Sequence, residues 1–163
     1  VQPLRGNVET RLRKVRDGDI DATILGMAGL NRLGLTAEVA ESLSTEMFLP
    51  AVGQGTVAIE TREDDTATRD FLRAIDHAET SEALLAERAF LAVLEGSCRT
   101  PIAGYAEIFG ATMKFRGLVM RPDGSESHET ARDGSVADAV KIGADAAEEL
   151  KAKLSPGFFA ATA

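Results

Sequence analysis

Val8, Leu12 and Val15 recur at helical spacing, with Arg11, Arg13, Lys14 and Arg16 at the polar positions between them. Asn7 stands where an N-cap belongs, Glu9 falls in the first turn, and Asp17-Gly18-Asp19 ends the segment. Residues 20–25 form an apolar run of the length of a buried strand. Gly26 and Gly29 then introduce a helical stretch through Leu33, closed by Gly34. With a short extended start at residues 1–4, the order strand, helix, strand, helix predicts a parallel α/β sheet. A short helical or mixed segment is expected at 37–43, and a Gly/Pro-rich connection at 49–55. A strand follows at 56–60, a helix at 66–75, and a longer helix at 80–94 with Leu84, Leu85, Phe90, Val93 and Leu94 as its apolar face.

After residue 101 the period changes from 3.6 to 2. Strands are predicted at 102–109 and 112–120, where Met113, Phe115 and Gly117 alternate with Lys114 and Arg116. Pro122-Asp123-Gly124 marks a tight turn. A polar third strand at 125–132 reads as a sheet edge. An amphipathic helix over 136–154 is carried by Val140, Ala144, Ala147 and Leu150, and the residues beyond Pro156 read as a loose tail. The second half is therefore α+β, a small antiparallel sheet with helices on one face.

Composition narrows the function. The net charge of −8 argues against a nucleic-acid-binding face, which needs concentrated positive charge. No apolar run approaches the roughly 20 residues that span a bilayer, and no signal-peptide pattern opens the chain, so no membrane association is expected. The two histidines, His77 and His128, have no metal-ligand spacing, so no metal site is expected. The chain carries one cysteine, which cannot form an internal disulfide and fits a reducing, cytoplasmic setting. The start, Val1-Gln2-Pro3-Leu4, reads as the interior of a longer fold, which makes the chain an expected fragment.

That cysteine, Cys98, lies in Leu94-Glu95-Gly96-Ser97-Cys98-Arg99-Thr100-Pro101-Ile102. A helix ends at Gly96, Pro101 forbids its resumption, and Arg99 favours a thiolate. The residue is a buried inert thiol, a nucleophile or a covalent attachment point, and free cysteines are most often the first. Arg5, Arg11 and Arg32 form a second group. Converging guanidiniums suit a polycarboxylate, whereas any one arginine alone is ordinarily a solvated side chain. The backbone of Gly53-Gln54-Gly55 could cradle an anion or serve as a plain hinge.

Taken together, four stretches resemble the porphobilinogen deaminase (hydroxymethylbilane synthase) family. They are Arg5-Gly6-Asn7-Val8 with Thr10-Arg11, Ala28-Gly29-Leu30 with Arg32-Leu33-Gly34-Leu35, Leu49 through Gly55, and Glu87-Arg88 through Leu94-Glu95-Gly96, Cys98 and Thr100-Pro101-Ile102. The resemblance implies the later part of a second, periplasmic-binding-protein-like α/β lobe at 1–49 and a return segment completing a first such lobe at 50–75. It also implies a small antiparallel-sheet-plus-helices domain at 76–163. It implies a transferase that joins four porphobilinogen units into hydroxymethylbilane with loss of ammonia, in tetrapyrrole (haem and chlorophyll) biosynthesis. By the same resemblance, Cys98 carries a dipyrromethane cofactor through a thioether. Arg5, Arg11, Arg32, Gly29, Gln54 and Gly55 join it as cofactor-binding residues. The partners are porphobilinogen and oligopyrrole intermediates, and the protein is a monomer. The family's catalytic aspartate matches no residue here, so the catalytic residue is unknown. An N-terminal part is the expected intramolecular partner, and these 163 residues alone are expected to be inactive. The alternative is a non-catalytic, small-carboxylate-binding module of the periplasmic-binding type; a plain interaction domain with a buried cysteine is a third possibility.

Overall fold

A computed structural model describes residues 2–97 and 99–160. The chain divides into two compact units, Val1–Ser44 and Thr45–Ala163.

The first unit is helical. Helix α1 is Val8–Arg16, and the Asn7 side chain accepts from the Thr10 amide, as the cap pattern predicts. Helix α2 is Met27–Leu33, closed by Gly34 in the left-handed region at φ 69°. A 3-10 turn, Thr36–Glu38, replaces the longer helical segment expected at 37–43, and Arg16 of α1 pairs with Glu38 inside it. The expected strand at 20–25 does not form: those residues carry no ladder, and Ile24 is 62% exposed. The strand expected at 56–60 in the second unit is likewise absent, with Val57 91% exposed. A strand is defined by hydrogen bonds to a neighbour, and no neighbour pairs with either run among the described residues. The parallel sheet predicted from the order of elements is therefore not present in the described residues.

The second unit is α+β. Helix α3 is Thr66–Leu72, continued by the 3-10 turn Arg73–Ile75, and α4 is Ala78–Val93. Strands β1 (Ile102–Phe109), β2 (Thr112–Met120) and β3 (Ser127–Ser135) form one antiparallel sheet in the order β1-β2-β3, and α5 is Ala139–Lys151. The first two strands fall where the period of two placed them. The third starts two residues later than expected because Asp123 accepts from the amide and hydroxyl of Ser125 and holds it in the turn.

The core lies between one face of this sheet and α4 with α5. Met113, Phe115 and Val119 of β2 are fully buried against Phe90 of α4 and Ala146, Ala147 and Leu150 of α5. Gly104 and Gly117 stand directly opposite each other on β1 and β2, and both lie under the Phe90 ring. A Cβ at 117 would fall 2.6 Å from that ring, so the glycine pair makes the recess that Phe90 fills. Phe90 and Phe115 meet at 5.1 Å between centroids, a tilted pair within the favourable range.

Three apolar assignments need correction. Leu85 is 47% exposed; the buried face of α4 runs instead through Ala86, Glu87 and Phe90. Val140 is 55% exposed, because α5 begins at Ala139 and buries Ala139, Ile142, Gly143, Ala146, Ala147 and Leu150, a stripe at i, i+3, i+4, i+7, i+8 and i+11. The tail is not loose where it is described: Phe158 is 2% exposed and belongs to the core. Arg121 lies 5.1 Å over the Phe158 ring, and its guanidinium is fixed by Glu126 and Ser155, each at 2.8 Å. Phe158→Ala should lower stability by about 3 kcal/mol, the usual result of emptying a buried aromatic site. Urea denaturation measures it, and a change under about 0.5 kcal/mol, the size of an ordinary surface effect, would mean the tail is not packed.

Candidate functional site

The sequence-predicted residues fall in both units. In the first, Arg5 is exposed and precedes Gly6, whose φ of 121° turns the chain into α1. Arg11 is half-buried, and its Nε donates to the Gly6 carbonyl at 3.0 Å, so side chain and turn brace each other. Arg5 and Arg11 are thus brought to the N-terminal turn of α1. Arg32 is exposed in the last turn of α2. The helix has only seven residues, which leaves Arg32 at the dipole end that favours a cation. Gly29 is exposed within α2, with no atom within 4 Å of where a Cβ would stand. A cavity of about 460 Å³ opens between α1 and α2, but Arg13, Arg16, Leu33 and Leu35 are among its lining residues, and Arg5, Arg11 and Arg32 are not.

In the second unit, Pro50 to Gly55 run against β1. Gly104 donates to the Pro50 carbonyl at 3.1 Å, and Ala51 forms an antiparallel bridge with Ala103. Proline suits this edge position because only its carbonyl is used. Gly53 then turns at φ 70°, and Gln54 and Gly55 are exposed beyond it.

The cysteine turn begins where α4 ends. Gly96 donates to the Leu91 carbonyl and Glu95 to that of Ala92, both at 3.1 Å, with Glu95 in the left-handed region at φ 54°. This is a Schellman ending with glutamate where glycine is usual. Lys151 of α5 donates to the Val93 carbonyl at 3.1 Å and faces Glu95 at 3.5 Å, a cation placed at a helix C-terminus. A Cβ on Gly96 would come within 2.6 Å of the side-chain ends of both Leu91 and Ile102, which would have to shift to admit it. Downstream, Thr100 donates to the Ser97 carbonyl at 3.0 Å, and the Ser97 amide donates to the Thr100 hydroxyl at 3.0 Å. These bonds close a four-residue turn over positions 97–100, with Arg99 exposed. Cys98, second in that turn by sequence, lies outside the described residues.

Glu87 was given no role by sequence reasoning. The residue is 7% exposed, and its carboxylate accepts from two backbone amides, Gly53 at 2.7 Å and Ala106 at 3.1 Å. Burial pushes its carboxyl above the usual range, and the two amide donors oppose that shift. The signal was legible: Glu87 lies three residues after Leu84 and three before Phe90, on the helix face that is otherwise apolar.

Residues 1–70 match the family model described as porphobilinogen deaminase, dipyromethane cofactor binding domain, and residues 81–152 match that described as porphobilinogen deaminase, C-terminal domain. The chain belongs to the porphobilinogen deaminase family. Proteins named porphobilinogen deaminase from Nitrobacter winogradskyi and Nitrobacter hamburgensis are each 55% identical over 159 residues, covering 98% of this chain and 50% of theirs. A protein named porphobilinogen deaminase, chloroplastic, from Pisum sativum is 50% identical over 158 residues, covering 95% of this chain and 43% of its own. The chain therefore spans about half the length of the curated relatives it matches. Arg5, Arg11, Gly29, Arg32, Gln54 and Gly55 fall within the stretch that matches the cofactor-binding domain, and Cys98 within the stretch that matches the C-terminal domain. Among the described residues, no helix is long and apolar enough to cross a membrane.

Proposed function

We propose that this chain serves a porphobilinogen deaminase: a cytoplasmic, monomeric transferase that condenses four porphobilinogen units into hydroxymethylbilane with release of ammonia. The observation that carries the reading is the family match along both units, with Cys98 falling in the stretch that matches the C-terminal domain. The division into parts of two periplasmic-binding-like lobes at 1–49 and 50–75 and a third domain at 76–163 belongs to the same proposal.

The residues present fit a dipyrromethane cofactor by the chemistry of their donors. When bound, the cofactor supplies a primer pyrrole to which new units add. Cys98 Sγ would hold it through a thioether, a bond that a soft sulfur nucleophile is suited to make to carbon. Acetate and propionate side chains give the growing chain many negative charges. Arg5, Arg11 and Arg32 would meet them with fork-shaped donors, Arg11 being already oriented by its bond to Gly6. Gly29 leaves room for close approach, and Gln54 and Gly55 supply polar groups from the turn after Gly53. The Ser97–Thr100 bonds hold the two arms of the cysteine turn together, which limits the directions a tethered chain can take.

The test is the intact mass of the full-length protein, with an acidic aldehyde colour reaction for pyrroles. An added mass of two pyrrole units with a positive colour is expected. An unmodified protein that stays colourless after incubation with porphobilinogen overturns the reading in favour of a non-catalytic carboxylate-binding module. These 163 residues alone should show no ammonia-releasing turnover.

A further inference from the structure

Glu87 is a buried carboxylate with no cation paired to it among the described residues. Such a group is expensive to bury, and its retention calls for a job that an apolar residue could not do. Its two partners identify that job. Oε1 takes the Ala106 amide of β1, and Oε2 takes the Gly53 amide, one residue before Gln54. The Ala51–Ala103 bridge and the Gly104-to-Pro50 bond fix the chain just upstream. Val52 packs on the core between the two attachments. Beyond Gly53 the described backbone bonds are local ones, from Gln54 to Ala51 and from Thr56 to Gly53. Glu87 is thus the last long-range tie before Gln54 and Gly55.

We propose that Glu87 is a positioning residue that clamps the 53–55 turn onto β1, so that Gln54 and Gly55 are presented to the pyrrole carboxylates in a fixed orientation. The inference rests on the function proposed above. A carboxylate suits the role because it accepts at both oxygens, so one side chain can span two amides on separate segments. Glutamine keeps the shape but turns an NH2 toward one of the two amide donors and breaks that half of the clamp.

The experiment compares wild-type full-length protein with Glu87→Gln by amide hydrogen exchange and by porphobilinogen kinetics. In the wild type, the Gly53 amide should exchange slowly despite the exposed residues that follow it. In Glu87→Gln, protection over 51–56 should fall at least about tenfold while β2 and β3 keep theirs, as expected of a local opening. KM for porphobilinogen should rise several-fold with a smaller change in kcat, the mark of lost substrate positioning rather than lost chemistry. Unchanged exchange over 51–56, or a loosened turn with unchanged KM, overturns the proposal. If Glu87→Gln does not fold, the wild-type Gly53 amide decides alone: rapid exchange overturns the clamp and slow exchange supports it. Absence of a pyrrole adduct and of turnover in the wild type would instead count against the function, so the two failures are distinguishable.

Discussion

Replacing Cys98 with alanine is expected to leave the full-length protein folded, free of pyrrole adduct and inactive. The fold should survive because the turn is held from both sides by groups that do not involve the thiol. Ser97 and Thr100 close it through main-chain and hydroxyl bonds, and the Schellman ending with Lys151 fixes its upstream arm. The chemistry should not survive, because Cys98 is the one thiol these 163 residues offer as the tether. A tether lost at the first step removes the primer for every later one, so ammonia release should fall at least about a thousandfold, as when an enzyme loses its covalent nucleophile. Intact mass, thermal unfolding and an ammonia assay read the three outcomes. A Cys98→Ala protein that carries the adduct or turns over normally would show that the cysteine is the inert thiol that free cysteines most often are.

The other large effect is expected at Gly143. Here α5 crosses α4 so closely that a Cβ would stand 2.0 Å from the Ala86 carbonyl oxygen and 3.1 Å from the Phe90 nitrogen. These are backbone atoms of a packed helix and cannot rotate aside. Gly143→Ala must therefore push the helices apart and loosen Phe90 from its recess over Gly104 and Gly117. The expected loss is about 3 kcal/mol, the upper end of what overpacking does and a large part of a typical domain's stability. It should appear as a lower urea midpoint with little change in slope. Gly26→Ala is the control, since nothing lies within 4 Å of its Cβ position. Equal midpoints for the two variants would mean that the helices do not approach in this way.

The local elements of the second unit were legible because their signals are local. Period two placed β1 and β2, Pro122-Asp123-Gly124 placed the turn, and the gap at Gly96 ended α4 near its observed end. In the first unit the caps of α1 and α2 were equally readable. The apolar runs at 20–25 and 56–60 misled because strand composition says nothing about whether a neighbour is there to pair. The tail misled for the opposite reason. Phe158 and Phe159 follow Pro156-Gly157 in a stretch too short to show a helical or strand period, and only the recess beside Arg121 and His128 gives Phe158 a place to be buried.

By itself, the sequence determined the chemistry on offer: one thiol in a Gly-to-Pro turn, three arginines, a Gly-Gln-Gly turn, and a family resemblance that the comparisons bear out. Those are properties of residue type and spacing along the chain. Tertiary structure decided what distant residues do for one another. It set Glu87 between Gly53 and Ala106, laid Lys151 on the end of α4, and made Gly143 the point where two helices touch. The physical reason is that each depends on groups at least 19 residues apart, as with Glu87 and Ala106. No local periodicity encodes such a meeting; it exists only once the sheet and helices have packed.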